Sequence, residues 1–170
     1  MSKRTWRTLA ATVAAALVAG LGVGQFTTAP ANGLAMVSTR SDGDVWVAKY
    51  NKRLTNLVNK RRTAHGLKAA KPVACAQKWA AKWSLRMTKT GKFAHSDMGK
   101  LLAKCNANYA AENIAMIWDG AKPADLVRMW MHSPGHRANI LSKKSKLTGV
   151  SVRWDAKQGA WVAVQNFVRR

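Results

Sequence analysis

The sequence predicts an α+β fold, an α-β-α sandwich with a small antiparallel sheet packed between helices. Three observations carry the prediction. Apolar residues recur at helical spacing over residues 47–61 and 76–87, and again on either side of residue 133. From residue 147 onward the spacing changes to a period of two, interrupted once, as in two strands joined by a short loop. Between them, Tyr109 to Ile117 is a short apolar run with the length of a strand. Helices first and strands last, with one strand between, suits an α+β domain better than alternating βα units.

Two segments precede that domain, which is placed at residues 44–170. Residues 1–31 read as a secretory signal peptide: Lys3, Arg4 and Arg7 form its basic start, Leu9 to Val23 its apolar centre, and Ala29-Pro30-Ala31 a small-residue cleavage site before Asn32. A membrane anchor is the rival, but Thr12, Gly20, Gly22 and Gly24 interrupt a run already short of the ~20 apolar residues that a bilayer needs. Residues 32–43 hold turn-forming residues without a period and read as a flexible linker. The mature chain is therefore expected to be exported, and its length suits one domain.

Within the domain, Asp44 is a suitable first cap. Val47, Tyr50, Leu54, Leu57, Val58 and Arg61 follow helical spacing until Gly66 ends the run. His65 suits a helix C-terminus, where the dipole favours a cation, and is read as structural. Pro72 opens a second helix at its tolerated first turn, with Ala76, Trp79, Ala80, Trp83 and Met87 as an apolar stripe read as core, and Gly91 closes it. Pro123 starts a third helix with Leu126, Val127, Trp130 and Met131 on one face. Ser133-Pro134 then restarts the chain as N-cap and first residue of a helix running to about Leu141, with His136 in its first turn. Finally, Leu147, Gly149, Ser151 and Arg153 alternate with Thr148, Val150, Val152 and Trp154. After residues 155–159, Trp161, Ala163, Gln165 and Phe167 alternate with Val162, Val164, Asn166 and Val168, which makes an antiparallel hairpin.

Lys and Arg number 29 against 7 Asp and Glu, a formal charge of +22. Such an excess is silent about fold but sets what the surface attracts. For an exported chain these are anionic cell-envelope polymers, membrane headgroups and acidic polysaccharides. Nucleic acid ranks lower, because no basic stretch carries interleaved aromatics and export removes most such targets. The same charges equally suit a surface that is merely solvated. Cys75 and Cys105 read as a disulfide closing a loop of 30 residues, worth ~3–4 kcal/mol in the chain-entropy model, and tying a helix to the loop before Glu112. A metal role is the weaker option, since neither cysteine has a partner at CxxC spacing.

The remaining chemistry sits in short motifs: Phe93-Ala94-His95-Ser96, Ala111-Glu112-Asn113-Ile114, Trp130-Met131, and the run from Ser133-Pro134-Gly135-His136 to Leu141, followed by Gly149-Val150 and a closing Trp/Val strand. Glu112 is the only glutamate in the chain. With these motifs in this order the chain resembles bacterial, SCP-like extracellular members of the CAP superfamily, which comprises cysteine-rich secretory proteins, insect venom antigens and plant pathogenesis-related proteins. The resemblance covers residues 47–167. It implies the α-β-α sandwich and a shallow cleft where two histidines and two acidic residues gather, in some members around a divalent metal such as zinc. By motif, His95, Glu112 and His136 take three of those places. The fourth, usually a glutamate after the tryptophan motif, falls at Ser133. Serine is a poor metal ligand and no general base, so metal-dependent hydrolysis is less expected here than with the full tetrad.

Two readings of the trio stay open. Two histidines and a glutamate meet the count of three protein ligands in a catalytic zinc site, and a helix N-terminus near His136 favours the neutral imidazole that a metal needs. Glu112 could instead orient an imidazole, or pair with one to fix the cleft wall without any metal. The pairs His95-Ser96 and His132-Ser133 suggest a nucleophile, but sequence neighbours rarely align for proton transfer and no orienting acid is evident. His132 is expected to be exposed or on the cleft rim, Asn113 and Asn139 to satisfy backbone groups, and Arg137 to be a structural or rim cation.

The function expected first is a secreted, monomeric binding module for a lipid, glycan or protein; the resemblance implies sterol or fatty-acid binding in some members. The second is a zinc-assisted hydrolase, with His95 and His136 holding the metal and Glu112 activating water. The third is a cationic envelope-binding or antimicrobial protein that acts through charge.

Overall fold

A computed structural model describes residues 42–170; residues 1–31, read as a signal peptide, and nearly all of those read as a linker lie outside the described residues. Helix α1 (Asp42–Ala64) takes in the last two residues of the stretch read as linker. Tyr50, Leu54 and Val58 are buried at steps of four. The next step falls on Arg62, which is buried, whereas Arg61 is exposed, so the inward cation is one residue later than the sequence pattern indicates. His65 closes the helix as expected, with Nδ1 against the Arg61 carbonyl at 2.8 Å.

Pro72 does not open a helix. It lies in a two-residue strand, β1 (Lys71–Pro72), and α2 (Ala74–Thr90) begins two residues later. Proline lacks the N–H of a ladder and so belongs on a sheet edge, which is where β1 sits. Its neighbours supply the bonds: Lys71 N–H donates to the Lys146 carbonyl and Val73 N–H to that of Thr148, each at 2.9 Å. A further helix, α3 (Met98–Cys105), fills a stretch with no predicted element; Asp97 caps it by accepting from Lys100 N–H at 3.0 Å. Cys75 and Cys105 are disulfide-bonded, so the bridge joins α2 to the end of α3 and not to a loop.

The other elements stand where the sequence puts them: β2 (Tyr109–Trp118), α4 (Pro123–His132), α5 (Pro134–Leu141), β3 (Leu147–Asp155) and β4 (Ala160–Arg169). The sheet order is β1-β3-β4-β2. The three long strands are antiparallel and β1 runs parallel to β3, so the sheet is mixed, not wholly antiparallel.

Both sheet faces are covered, so alternation along the strands separates two interiors. Ala163 and Phe167 of β4 pack with Tyr50, Leu54, Trp130 and Ile140 of α1, α4 and α5. Val162 and Val164 meet Ala80 and Met87 of α2, and Val168 joins Ala76, Leu101 and Cys105. Helix α2 lies directly on β3 at Gly149, where a Cβ would come within 2.1 Å of the Gln77 nitrogen. Beyond β1, the outer edge of β3 is closed by side-chain amides: Gln77 exchanges two hydrogen bonds with the Val150 backbone, and Asn51 accepts from Val152 N–H. Among the described residues no helix is long and apolar enough to cross a membrane.

Candidate functional site

Glu112, on β2, organises the site. Its side chain is about 1% exposed and faces three donors. Oε1 accepts from Ser96 N–H at 2.8 Å and from His95 Nδ1 at 2.9 Å; Oε2 accepts from Ser96 Oγ at 2.7 Å. A carboxylate only accepts, so His95 donates to it from Nδ1. Glu112 thus fixes the orientation of an imidazole that is itself 58% exposed.

The segment bearing His95 is pinned from beneath by α2. Trp79 Nε1–H donates to Ser96 Oγ at 2.9 Å, and Trp83 Nε1–H to the Ala94 carbonyl at 2.8 Å. These two tryptophans are half-buried and partly a platform for the site, where helical spacing alone makes them core. A half-buried indole needs a partner for its one donor, and here both partners flank His95. Lys82 and Arg86 lie over the Trp79 and Trp83 rings, at 6.0 and 5.3 Å from the centroids.

His136 is brought alongside by asparagines. Asn139 Nδ2 donates to the Glu112 carbonyl at 3.1 Å and to Asn113 Oδ1 at 3.0 Å; Asn113 Nδ2 donates to the His136 carbonyl at 3.3 Å. These bonds fasten α5 to β2, in the backbone-satisfying role expected of both residues. Trp130 lies beside the His136 ring, with centroids 6.4 Å apart. Burial first, and then the neighbouring His95, hold the His136 imidazole below its ordinary pKa. Its Nδ1 is buried and meets no hydrogen-bond partner among the described residues, so a proton there would be an orphaned donor. His136 is therefore neutral.

The structure thus gathers His95, Glu112 and His136, and leaves Ser133 outside their network. Ser133 holds the N-cap position of α5, but its side chain makes no capping bond; only its carbonyl accepts, from Arg137 N–H at 2.9 Å. His132 is exposed, with Nδ1 against the Arg128 carbonyl at 2.7 Å. With Met131, Pro134, Arg137, Ala138 and Leu141 it lines a separate recess of about 360 Å³.

This geometry limits the chemistry. Ser96 Oγ gives its hydrogen to Glu112 and receives one from Trp79, so it is a buried strut and no nucleophile. Glu112 has both oxygens engaged, and among the described residues no three His, Cys, Asp or Glu side chains group as a metal-ligand set. The residues fit an oriented imidazole better than the three-ligand zinc site weighed from sequence.

The CAP family, described as the cysteine-rich secretory protein family, matches residues 55–167. No curated protein matches the chain significantly. Among solved structures, an extracellular SCP-domain protein from Bacillus anthracis is similar at TM-score 0.65 and 22% identity, over 77% of this chain and 44% of its own. A cysteine-rich secretory protein from Staphylococcus aureus gives 0.62 and 21%, over 72% and 39%. An outer surface protein from Borrelia burgdorferi gives 0.64 and 16%, over 72% and 93%. At such identities the likeness speaks to fold alone, and the chain spans less than half the length of the Bacillus and Staphylococcus proteins.

Proposed function

The chain belongs to the CAP, or cysteine-rich secretory protein, family, and we propose that it works as an extracellular binding module whose cleft receives a hydroxyl-rich ligand of glycan type. The observation that carries this reading is the engagement of Glu112. A general base must reach the proton it takes, and a carboxylate about 1% exposed and already accepting from Ser96 N–H, Ser96 O–H and His95 Nδ1–H is turned away from any ligand. What the site presents instead is the exposed His95 imidazole, held in one orientation by Glu112 and open to a ligand hydroxyl. Beside it stands the neutral His136.

Export belongs to the same proposal. It is supported by the signal-like residues 1–31, by the Cys75–Cys105 disulfide, which suits an oxidising compartment, and by the descriptions of the Bacillus and Staphylococcus relatives as extracellular and secretory.

Calorimetry with purified peptidoglycan oligosaccharides at pH 7.5 tests the reading. Binding should weaken at least about tenfold in His95→Phe, the loss of one well-placed hydrogen bond, and should change little with salt. Unchanged affinity in His95→Phe moves the ligand elsewhere. A steep fall with salt hands the interaction to surface charge, and cleavage of the oligosaccharide abolished by His95→Phe makes the protein a hydrolase.

A further inference from the structure

We infer that a groove between the α1–β1 connection and the α5–β3 connection is a second binding site, built for an anionic amphiphile: a phosphate-bearing headgroup with the first methylenes of an alkyl chain. The groove encloses about 520 Å³ and shares no residue with the His95–Glu112 cleft. Sites for small ligands typically have this size. Lys68, Lys71, Lys143 and Lys146 stand around it, and no acidic residue lines it. Leu67 and Leu147 supply apolar wall, to which the lysine stems add.

The walls are fixed. Asn59 clamps Ala70 from both sides, its Nδ2 donating to the Ala70 carbonyl at 3.0 Å and its Oδ1 accepting from Ala70 N–H at 2.9 Å. Lys71 N–H bonds the Lys146 carbonyl, Leu67 N–H bonds the Arg62 carbonyl, and the parallel pairing sets Lys71 beside Leu147. The backbone on both sides of the groove is thus fixed, and the four exposed lysine stems can converge on an anion bound there.

Arg62 is the second, independent observation. It also lines the groove and is only 2% exposed. Its Nε donates to the Lys68 carbonyl at 3.1 Å, and its Nη1 to the carbonyls of Ile140 and Ser142. Among the described residues no carboxylate pairs with the guanidinium, whose Nη2 donates to no protein acceptor yet is not a fully buried atom; the ion pairs present are His95–Glu112, Lys100–Asp97 and Arg128–Asp125. Three carbonyls solvate the guanidinium but none neutralises it, and it lines a groove ringed by four more cations. An anion is the missing partner.

Calorimetry on the full chain with dihexanoyl phosphatidylglycerol, kept below its micelle concentration, tests the assignment. The triple variant Lys68→Gln/Lys143→Gln/Lys146→Gln should bind at least about tenfold more weakly, since three modest ion pairs are lost. The exposed triple Lys52→Gln/Lys89→Gln/Lys157→Gln, away from the groove, should bind within about twofold of the parent. Glycerol phosphate and dihexanoyl phosphatidylcholine should each bind at least about tenfold more weakly than the phosphatidylglycerol, the first for want of apolar contact and the second for want of net charge. Equal losses in both triples, or no binding at all, overturn the site. Glycerol phosphate binding as tightly as the lipid overturns the amphiphile. His95→Phe should leave this binding intact, so the cleft and the groove succeed or fail separately.

Discussion

Glu112→Gln exchanges one oxygen for an amide NH₂ and removes one charge at the most heavily bonded side chain of the cleft. That side chain faces three donors, so either amide orientation sets an NH₂ against a donor. In the better one the oxygen stays toward Ser96 N–H and His95 Nδ1–H, and the NH₂ faces Ser96 Oγ. That hydroxyl then accepts from the new amide and from Trp79 Nε1, and its own hydrogen is left without a buried acceptor. Two charge-assisted bonds become neutral ones, at about 1 kcal/mol each, and the orphaned hydroxyl adds about 1 kcal/mol. Relief from burying a charge returns part of this, leaving about 2 kcal/mol of destabilisation. For a domain of this size the melting temperature should drop by about 6–10 °C. Urea unfolding followed by tryptophan fluorescence measures it, because Trp79 and Trp83 report on the same segment. Ser96→Ala should cost a similar amount, and the double variant should fall short of the sum by about 1 kcal/mol, since both break one network. Destabilisation below about 0.5 kcal/mol in Glu112→Gln, or strict additivity, would show that the carboxylate does not organise residues 94–96.

Three other expectations rest on different parts of the fold. Gly149→Ala puts a Cβ 2.1 Å from the Gln77 nitrogen and 2.2 Å from the Ala76 carbonyl carbon, so α2 must retreat from β3; stability should fall by about 3 kcal/mol or more, and a loss under about 1 kcal/mol in chemical denaturation contradicts that close approach. Removing the Cys75–Cys105 bridge, by reduction or by paired alanines, should cost about 3–4 kcal/mol for its 30-residue loop, read as a melting temperature that reductant lowers in the parent and leaves unchanged in the already less stable alanine variant. His136 titrates below its ordinary value of 6.5, because burial, and then the neighbouring His95, disfavour the charged ring. The unfolded chain therefore takes up that proton first: the stability is present above pH 6.5 and is lost as pH falls through the lowered folded value. Urea titrations across that range should show the decline in the parent and a shallower one in His136→Phe; equal slopes refute it.

The elements legible in the sequence are those whose own residues encode them. The stripes of α1, α4 and α5 are written in period and punctuated by proline, serine and glycine, and the β3–β4 hairpin announces itself by a change of period. Where placement depends on a distant partner, the local pattern misleads. Pro72 suits a helix's first turn and a sheet edge for the same reason, its missing N–H, and only the Lys146 and Thr148 carbonyls decide between them. Helix α3 buries just Leu101 and Cys105, too few positions in eight residues for a period to show. Arg62 and Arg61 look alike in a basic run; the carbonyls of Ile140 and Ser142, far along the chain, select the first.

The candidate site divides in the same way. Motif alone finds His95, Glu112 and His136, yet it leaves two readings of Glu112 standing, because ligand and orienting acceptor require the same carboxylate. What separates them is Ser96 and the two indoles beneath it. Beside a histidine Ser96 resembles a nucleophile, and Trp79 and Trp83 resemble core, since helical spacing reports the face of a side chain and not the direction of its one polar hydrogen. The signal is nonetheless present: two tryptophans four residues apart on one helix, each with a donor to satisfy, just ahead of a segment otherwise short of anchors. Once both indoles are bonded to residues 94–96, the Ser96 hydroxyl has only Glu112 to give its hydrogen to. Glu112 is then buried with both oxygens engaged, and His95 is the exposed side chain of the pair.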